Sequence, residues 1–261
     1  MRLSAIAFVV VAFTLAANAT HPQRPLKPVS KLIVNTTNTE RTIASDKCEL
    51  EGIQDIIELM KHSSYEEMWV YLPKTCQWIE IGINEKAGDE AASVNIDRAF
   101  LTQVLIQSSL ADLYHFHPLA YFRKCSEAAL CGSRSLTRDE LISNLRYAMP
   151  SPEDIYFMMD ITWQFDQVQS AHGRMRHRVV TPYGIVEFAL TETGKEKFAL
   201  DRDLRTAGLY IKLVAANALV DDNIESIVGD HPNASEALAS LVENLNSTHL
   251  RVTHAPLPPT P

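Results

Sequence analysis

The hydrophobic and polar positions along the chain predict alternating helices and strands. Apolar residues recur at helical spacing from Ile53 to Met60, which predicts a helix over residues 49–62. Runs rich in β-branched and aromatic residues predict strands at Met68–Leu72, Gln77–Ile83 and Ala111–His117. Further helices are predicted over residues 96–108, 138–148, 152–168, 200–221 and 234–246. This order predicts an α/β domain, in which helices flank a mixed sheet.

Local signals support several of these boundaries. Thr137 and Glu140 have the spacing of a capping box in front of the helix 138–148. Pro152 suits the first turn of the next helix, because that turn needs no N–H donor from this residue. Residues 176–188 have the pattern of a β-hairpin with its turn over 181–184.

The two ends of the chain differ in composition from its middle. Residues 1–19 combine a basic start, an apolar run and a small-x-small sequence, which predicts a cleaved signal peptide. The alternative is a membrane anchor, for which the run is short, since a span needs about 20 apolar residues. The remaining predicted segments are a linker over 20–46, one domain over 47–250 and a disordered tail over 251–261. The expected protein is secreted or periplasmic, without membrane contact after signal cleavage.

Composition and charge narrow the class of protein. The chain has 261 residues, of which 46% are hydrophobic and 21% charged, which is ordinary for a globular protein and excludes a fully disordered chain. The formal net charge of −8 argues against sequence-independent binding of nucleic acid, which needs a basic surface. Composition says nothing about the oligomeric state or the chemistry.

Four cysteines become informative once export is expected. They are Cys48, Cys76, Cys125 and Cys131, and an even set in an oxidising compartment favours two disulfides. Three connectivities are possible, of which the simplest joins the nearest pairs, Cys48–Cys76 and Cys125–Cys131. A four-cysteine zinc site is the alternative, but neither pair has the usual Cys-x-x-Cys spacing.

Two histidines close to the end of a predicted strand are the first candidate for chemistry. In Tyr114-His115-Phe116-His117-Pro118, side chains alternate between the two faces of the strand. His115 and His117 therefore share one face, where their imidazoles could share a metal ion. The alternative is a pair of surface or hydrogen-bonded histidines without a metal.

A serine and a carboxylate begin the helix at 152. Ser151 and Asp154 have the spacing of a helix cap, which is the simpler interpretation. If this turn faces the strand with His115 and His117, Asp154 supplies a third ligand, and two histidines and a carboxylate leave an open position for water on zinc. Ser151 then points into the same cleft as a hydrogen-bond donor.

Two carboxylates precede the strand at 68–72. Glu66 or Glu67 is a candidate general base, since a metal-activated water needs a nearby acceptor for its proton. The alternative is a pair of solvated surface carboxylates.

Together the three motifs resemble the JAMM (MPN-plus) zinc metalloprotease family. The glutamate, His-x-His-Pro and Ser-x-x-Asp motifs occur in the family's order, and the resemblance covers about residues 53–190. It implies a JAMM/MPN-like, cytidine-deaminase-like layered domain and a bound Zn²⁺. Two features depart from the family pattern: Trp69 follows the glutamates in place of a small residue, and an insertion over 118–150 separates the two later motifs.

The resemblance implies a role for each motif residue. His115, His117 and Asp154 are the implied zinc ligands. Ser151 is implied to stabilise the oxyanion, and Glu66, ahead of Glu67, to act as general base. The implied reaction is attack of zinc-activated water on an amide or isopeptide bond of a peptide or protein substrate. Ubiquitin is not carried over as the substrate, because this chain is expected to be exported.

Two further interpretations remain open. One is a catalytically inactive module of the same fold that binds a partner protein, which Trp69 favours. The other is an interaction protein in which the motif match is accidental.

A basic segment near the predicted hairpin is the last candidate for a functional role. Arg174, Arg176 and Arg178 alternate with other residues, and His172 and His177 lie among them. This pattern predicts a solvated edge strand whose charges resist pairing with other chains. The alternative is a contact with a substrate carboxylate.

Overall fold

The computed structural model describes most of the predicted domain. It covers residues 41–83, 95–96, 98–106, 108–126, 131, 136–168, 174–228 and 233–259. The predicted signal peptide and most of the predicted linker lie outside these residues.

A seven-stranded mixed sheet forms the centre of the described structure. Its strands are β1 (Glu67–Leu72), β2 (Gln77–Ile83), β3 (Asn95–Ile96), β4 (Leu110–Phe116), β5 (Arg174–Thr181), β6 (Gly184–Leu190) and β7 (Leu250–Ala255). They lie in the order β3-β2-β1-β4-β5-β6-β7. Only the central pair, β4 and β5, is parallel among these neighbours. The predicted α/β class with a mixed sheet is confirmed.

Helices cover both faces of this sheet. They are α1 (Arg41–His62), α2 (Arg98–Ile106), α3 (Arg138–Ala148), α4 (Pro152–Val168), α5 (Glu192–Asp203), α6 (Gly208–Asp222), α7 (Ile224–Val228) and α8 (Ala234–Glu243). A short 3₁₀ turn covers Leu119–Tyr121. The capping box of Thr137 and Glu140 begins α3 as predicted.

The two sides of β4 belong to different parts of the core. Tyr114 and Phe116 pack with α1 in one buried cluster, whereas Leu113 packs with α2 and α4 in another. Side chains alternate along a strand, so His115 and His117 share the face of Leu113, towards α4. This alternation is the one predicted from the sequence.

Two disulfides join the described cysteines. Cys48–Cys76 ties α1 to the segment between β1 and β2, and Cys125–Cys131 closes a small loop in the insertion. The pairing of nearest cysteines is therefore confirmed. Disulfides of this kind are typical of proteins in oxidising compartments.

None of the helices in the described ranges is both long and apolar enough to cross a membrane.

The predicted disordered tail is wrong where the structure describes it. Strand β7 includes residues 251–255 and pairs antiparallel with β6, and Leu257 packs beside the α1 cluster. The helix α1 also begins at Arg41, inside the predicted linker. The proline-rich composition indicated a tail, whereas the alternation of Leu250 and Val252, which are buried against β6, is typical of a strand.

The predicted helix over 200–221 is confirmed as α6 from Gly208 onwards, but its first residues belong to a separate helix, α5. Between α5 and α6, Arg205 adopts a φ of 55°, in the left-handed region. The carboxylate of Asp201 accepts a hydrogen bond from the Leu209 N–H at 2.6 Å, which satisfies a donor in the first turn of α6. The break is stabilised by a side chain that precedes it.

The predicted edge strand of arginines lies instead in the middle of the sheet. Strand β5 pairs with β4 on one side and β6 on the other. The Arg176 Nε donates to Asp112 Oδ1 at 2.7 Å and the Arg178 Nε to Glu187 Oε2 at 2.9 Å. Glu49 of α1 accepts from Arg178 and from the Tyr114 hydroxyl, so the network ties α1 to the sheet.

The close packing of α1 on the sheet predicts how substitution of Gly52 changes the free energy of unfolding. A Cβ at Gly52 would lie 2.1 Å from Cε2 of the buried Trp78, whereas one at Gly208 would meet nothing closer than 3.4 Å. Gly52→Ala is expected to lower the free energy of unfolding by about 2 kcal/mol through overpacking. The matched control Gly208→Ala is expected to change it by less than about 1 kcal/mol. Urea unfolding measures both, and equal effects would contradict this account of the α1 contact.

Candidate metal centre

Two imidazoles and one carboxylate meet between β4 and the first turn of α4. One ligand atom from each of His115, His117 and Asp154 lies within 4.8 Å of the other two. His115 Nε2 lies 3.3 Å from Asp154 Oδ1. The histidines are almost fully buried, each with 4% of its surface exposed. The structure therefore brings together the three residues that the sequence singled out.

The orientation of His117 is set by the main chain of Tyr147. His117 Nδ1 lies 2.5 Å from the carbonyl oxygen of Tyr147. A carbonyl only accepts hydrogen bonds, so Nδ1 must carry the hydrogen, and the lone pair of the neutral ring is on Nε2. Outer hydrogen bonds of this kind orient histidine ligands in metal sites.

The buried nitrogen of His115 lacks a hydrogen-bond partner. Although Nε2 lies 3.3 Å from Asp154 Oδ1, no aligned hydrogen bond joins them within the described residues. A buried polar atom without a partner costs about 1–3 kcal/mol. A cation bound between the imidazoles and the carboxylate would satisfy this nitrogen, so the residues present fit a metal ion.

Asp154 serves as helix cap and faces the histidines at the same time. Its Oδ2 accepts a hydrogen bond from the Ser151 N–H at 2.8 Å, and its own N–H donates to Ser151 Oγ at 3.1 Å. The second carboxylate oxygen, Oδ1, is the one directed at His115. The capping and metal-ligand interpretations of this motif are therefore compatible.

Burial and pairing shift the pKa values of the three residues. Burial opposes ionisation of Asp154, but the two histidines overcome it and hold the pKa of Asp154 well below its ordinary value. Burial also disfavours the charged imidazole of His115, yet the carboxylate of Asp154 raises its pKa. The pKa of His117 is lowered, chiefly by burial and with His115 adding repulsion.

The two candidate glutamates point in different directions. Glu66 Oε1 lies 3.9 Å from His117 Nε2 and accepts a hydrogen bond from the Tyr147 hydroxyl at 3.1 Å. Glu67 belongs to the other face of β1, since Met68 opposes His115 in the register and alternation turns its neighbour away. Only Glu66 is therefore placed beside the centre.

Trp69 does not crowd the centre. Its side chain is buried in the α1 cluster, on the face of the sheet opposite to His115. The indole ring therefore does not obstruct Glu66.

The sequence contained no indication of Tyr147, and it assigned His177 to a solvated basic segment rather than to the centre. Tyr147 comes from α3 of the insertion, and nothing in its spacing indicated that this helix returns to the strand with His117. His177 is buried on β5 between Phe157 and Phe188, and its Nε2 has no partner in the described structure. Burial, followed by repulsion from His115, lowers the pKa of His177 to about 3, so this imidazole stays neutral beside the centre.

The fold and the site define a mixed α/β protein with a buried two-histidine, one-carboxylate centre. Comparison of the chain with family models, curated proteins and solved structures gave no match.

Glu67, which lies on the face of β1 away from the centre, makes the stability of the fold depend on pH. Burial, with repulsion from Glu80, raises its pKa to about 7 from an ordinary value of 4.5. The folded protein binds this proton more tightly than the unfolded chain. The stabilisation is therefore full below about pH 4.5 and is lost as the pH rises through about 7.

Glu67→Gln is accordingly expected to raise the free energy of unfolding by about 1–2 kcal/mol at pH 8 and to leave it unchanged near pH 4. Denaturant unfolding at the two pH values measures this. The exposed Glu196→Gln serves as the control and should show no such difference. Equal effects of Glu67→Gln at both pH values would contradict the raised pKa.

Proposed function

We propose that this chain is an exported zinc-dependent peptidase or isopeptidase that hydrolyses an amide bond in a peptide or protein. The observation that carries the proposal is the meeting of His115, His117 and Asp154 around one buried point, with Glu66 beside them. The order of these motifs resembles the JAMM family, and the two disulfides fit an oxidising compartment.

The donor set favours zinc over harder cations. Two imidazole nitrogens and one carboxylate are typical of catalytic zinc sites, whereas Mg²⁺ and Ca²⁺ prefer oxygen ligands. His115, His117 and Asp154 would hold the ion and leave one position open. Bound zinc acts as a Lewis acid that polarises a carbonyl and activates water at neutral pH.

In the proposal Glu66 is the residue that moves the proton. Its carboxylate lies at the edge of the centre and accepts one hydrogen bond, from Tyr147. In the proposed reaction Glu66 takes a proton from the attacking water and delivers it to the nitrogen of the leaving amine. Because Glu67 faces away, Glu66 alone carries this role in the proposal.

In the proposal Ser151 stabilises the negative charge that develops on the substrate oxygen. Its Oγ accepts from the Asp154 N–H, which leaves the hydroxyl hydrogen to donate to another acceptor. The start of α4 adds the positive end of a helix dipole at the same place. A hydroxyl donor beside a helix N-terminus is a suitable partner for an oxyanion.

The enclosure of the centre favours a second candidate function. Glu66, His115 and His117 are all at least nine-tenths buried, so a substrate would need part of the surface to open. An inactive module of this kind would keep the cluster as a structural metal site or ion-pair network and bind a partner protein on its surface.

Metal binding tests the proposed ligands. Asp154→Asn keeps an oxygen to accept from Ser151 and so retains the cap, but removes the charge that faces His115. We expect the purified wild type to bind one zinc ion per chain and Asp154→Asn to bind it at least about 100-fold more weakly. Metal analysis and calorimetric titration measure this.

The exposed His62→Ala is the control variant for histidine loss and should bind zinc as the wild type does. His117→Ala should behave like Asp154→Asn. Zinc retained equally by all four proteins would rule out this centre.

Turnover tests the role of Glu66. Glu66→Gln is expected to bind zinc as tightly as the wild type and to lower kcat about 10²- to 10⁴-fold, because the amide cannot accept the proton. A quenched fluorescent peptide library provides the assay. An unchanged kcat would remove Glu66 as the base, and a wild type that binds zinc without cleaving any peptide would favour the inactive module.

A further inference from the structure

Tyr147 of the insertion contacts both the proposed base, Glu66, and a proposed metal ligand, His117. The hydroxyl of Tyr147 donates to Glu66 Oε1 at 3.1 Å, while its carbonyl accepts from His117 Nδ1 at 2.5 Å. The Tyr147 ring also stacks at a tilt on the His117 ring, with centroids 4.8 Å apart. The same residue thus holds a proposed metal ligand through its main chain and the proposed base through its side chain.

The helix that carries Tyr147 is fixed to the body of the protein. Within α3, Asn144 donates to the hydroxyl of Tyr183, outside the insertion, at 2.6 Å. It also exchanges two hydrogen bonds with the main chain of Arg123, inside the insertion, at 2.7 and 3.0 Å. Asn144 is itself 1% exposed, so these bonds are made in a buried setting where they are worth most. Tyr183 belongs to the turn between β5 and β6. The insertion is therefore anchored one helical turn before Tyr147.

The carboxylate of Glu66 accepts one hydrogen bond among the described interactions. Its side chain is buried, with 7% of the residue exposed, so packing and this hydrogen bond together set where the carboxylate lies. The hydroxyl of Tyr147 binds one oxygen, Oε1, which lies 3.9 Å from His117 Nε2. A base has to be held within hydrogen-bond reach of the proton that it takes.

We propose that Tyr147 is a positioning residue: its hydroxyl holds Glu66 in place beside the centre, so that the insertion over 118–150 is a working part of the site. The inference rests on the proposed function, in which Glu66 is the base. It assigns to the insertion a role in turnover that a separate lid would not have.

The test is Tyr147→Phe, which removes the hydroxyl and keeps both the ring and the carbonyl that orients His117. Zinc affinity is expected to stay within about twofold of the wild type, because no ligand changes. We expect kcat to fall about tenfold with KM within about twofold, since a hydrogen bond to a charged group is lost. A purely structural role would instead weaken zinc binding together with turnover.

Tyr121→Phe is the matched control. Its hydroxyl donates to the Ser64 carbonyl at 3.2 Å in the same neighbourhood, and its ring lies 5.3 Å from that of Tyr147. It has no contact with Glu66 among the described interactions, so kcat should be unchanged. A kcat loss in Tyr121→Phe equal to that in Tyr147→Phe would overturn the proposal.

A thermal double-mutant cycle tests the Tyr147–Glu66 contact without any turnover. Tyr147→Phe is expected to lower Tm by about 2–4 °C when Glu66 is present and by less than about 1 °C in a Glu66→Ala background. The same decrease in both backgrounds would show that Tyr147 does not act through Glu66. If the wild type cleaves no peptide, the proposed function fails, whereas this cycle still decides whether Tyr147 holds Glu66.

Discussion

The burial of strand β4 on both faces is the constraint on which the rest of the structure depends. A strand in that position must find a partner for every polar side chain that it carries, because an unpaired buried group is costly. On the α1 side, Tyr114 and Asp112 are matched by Glu49, Arg176 and Arg178. On the α4 side, His115 and His117 meet Asp154, Glu66 and the Tyr147 carbonyl. The arginine network and the candidate centre therefore both provide partners for buried polar side chains of β4, one on each face of the strand.

One buried nitrogen of the centre, His115 Nε2, differs from the rest of these polar groups. The network on the α1 side pairs its charges, whereas His115 Nε2 on the other side has no hydrogen-bond partner in the described structure. Asp154 accepts a hydrogen bond from Ser151 through one oxygen, while its other oxygen faces His115. A carboxylate beside an imidazole nitrogen that makes no hydrogen bond is an arrangement that a bound cation can satisfy.

The insertion over 118–150 contributes to the centre, although the motifs alone do not indicate this. Residues 118–150 separate the histidines from Asp154 in the sequence, and from the motifs alone the segment resembles an added loop. In the structure its helix α3 leads into α4, so the turn that supplies Ser151 and Asp154 follows directly from the insertion. Tyr147 near the end of α3 then reaches both His117 and Glu66. The inserted segment shapes the centre that it interrupts.

The sequence by itself determined most of the helices and strands before residue 190, the two faces of β4, the Ser151–Asp154 cap and the nearest-neighbour disulfides. These depend on periodicity, capping and short loops, and so on residues close in the chain. Only the tertiary structure decided the central place of β5, the pairing of β7 with β6 and the burial of His177. An arginine-rich strand has the same local pattern at an edge as in the centre. Its position depends on partners such as Glu49 and Asp112, which lie 129 and 64 residues away from the arginines that they bind. The separation of Glu66 from Glu67 followed in the same way, once the register of β1 against β4 decided which carboxylate faced the histidines.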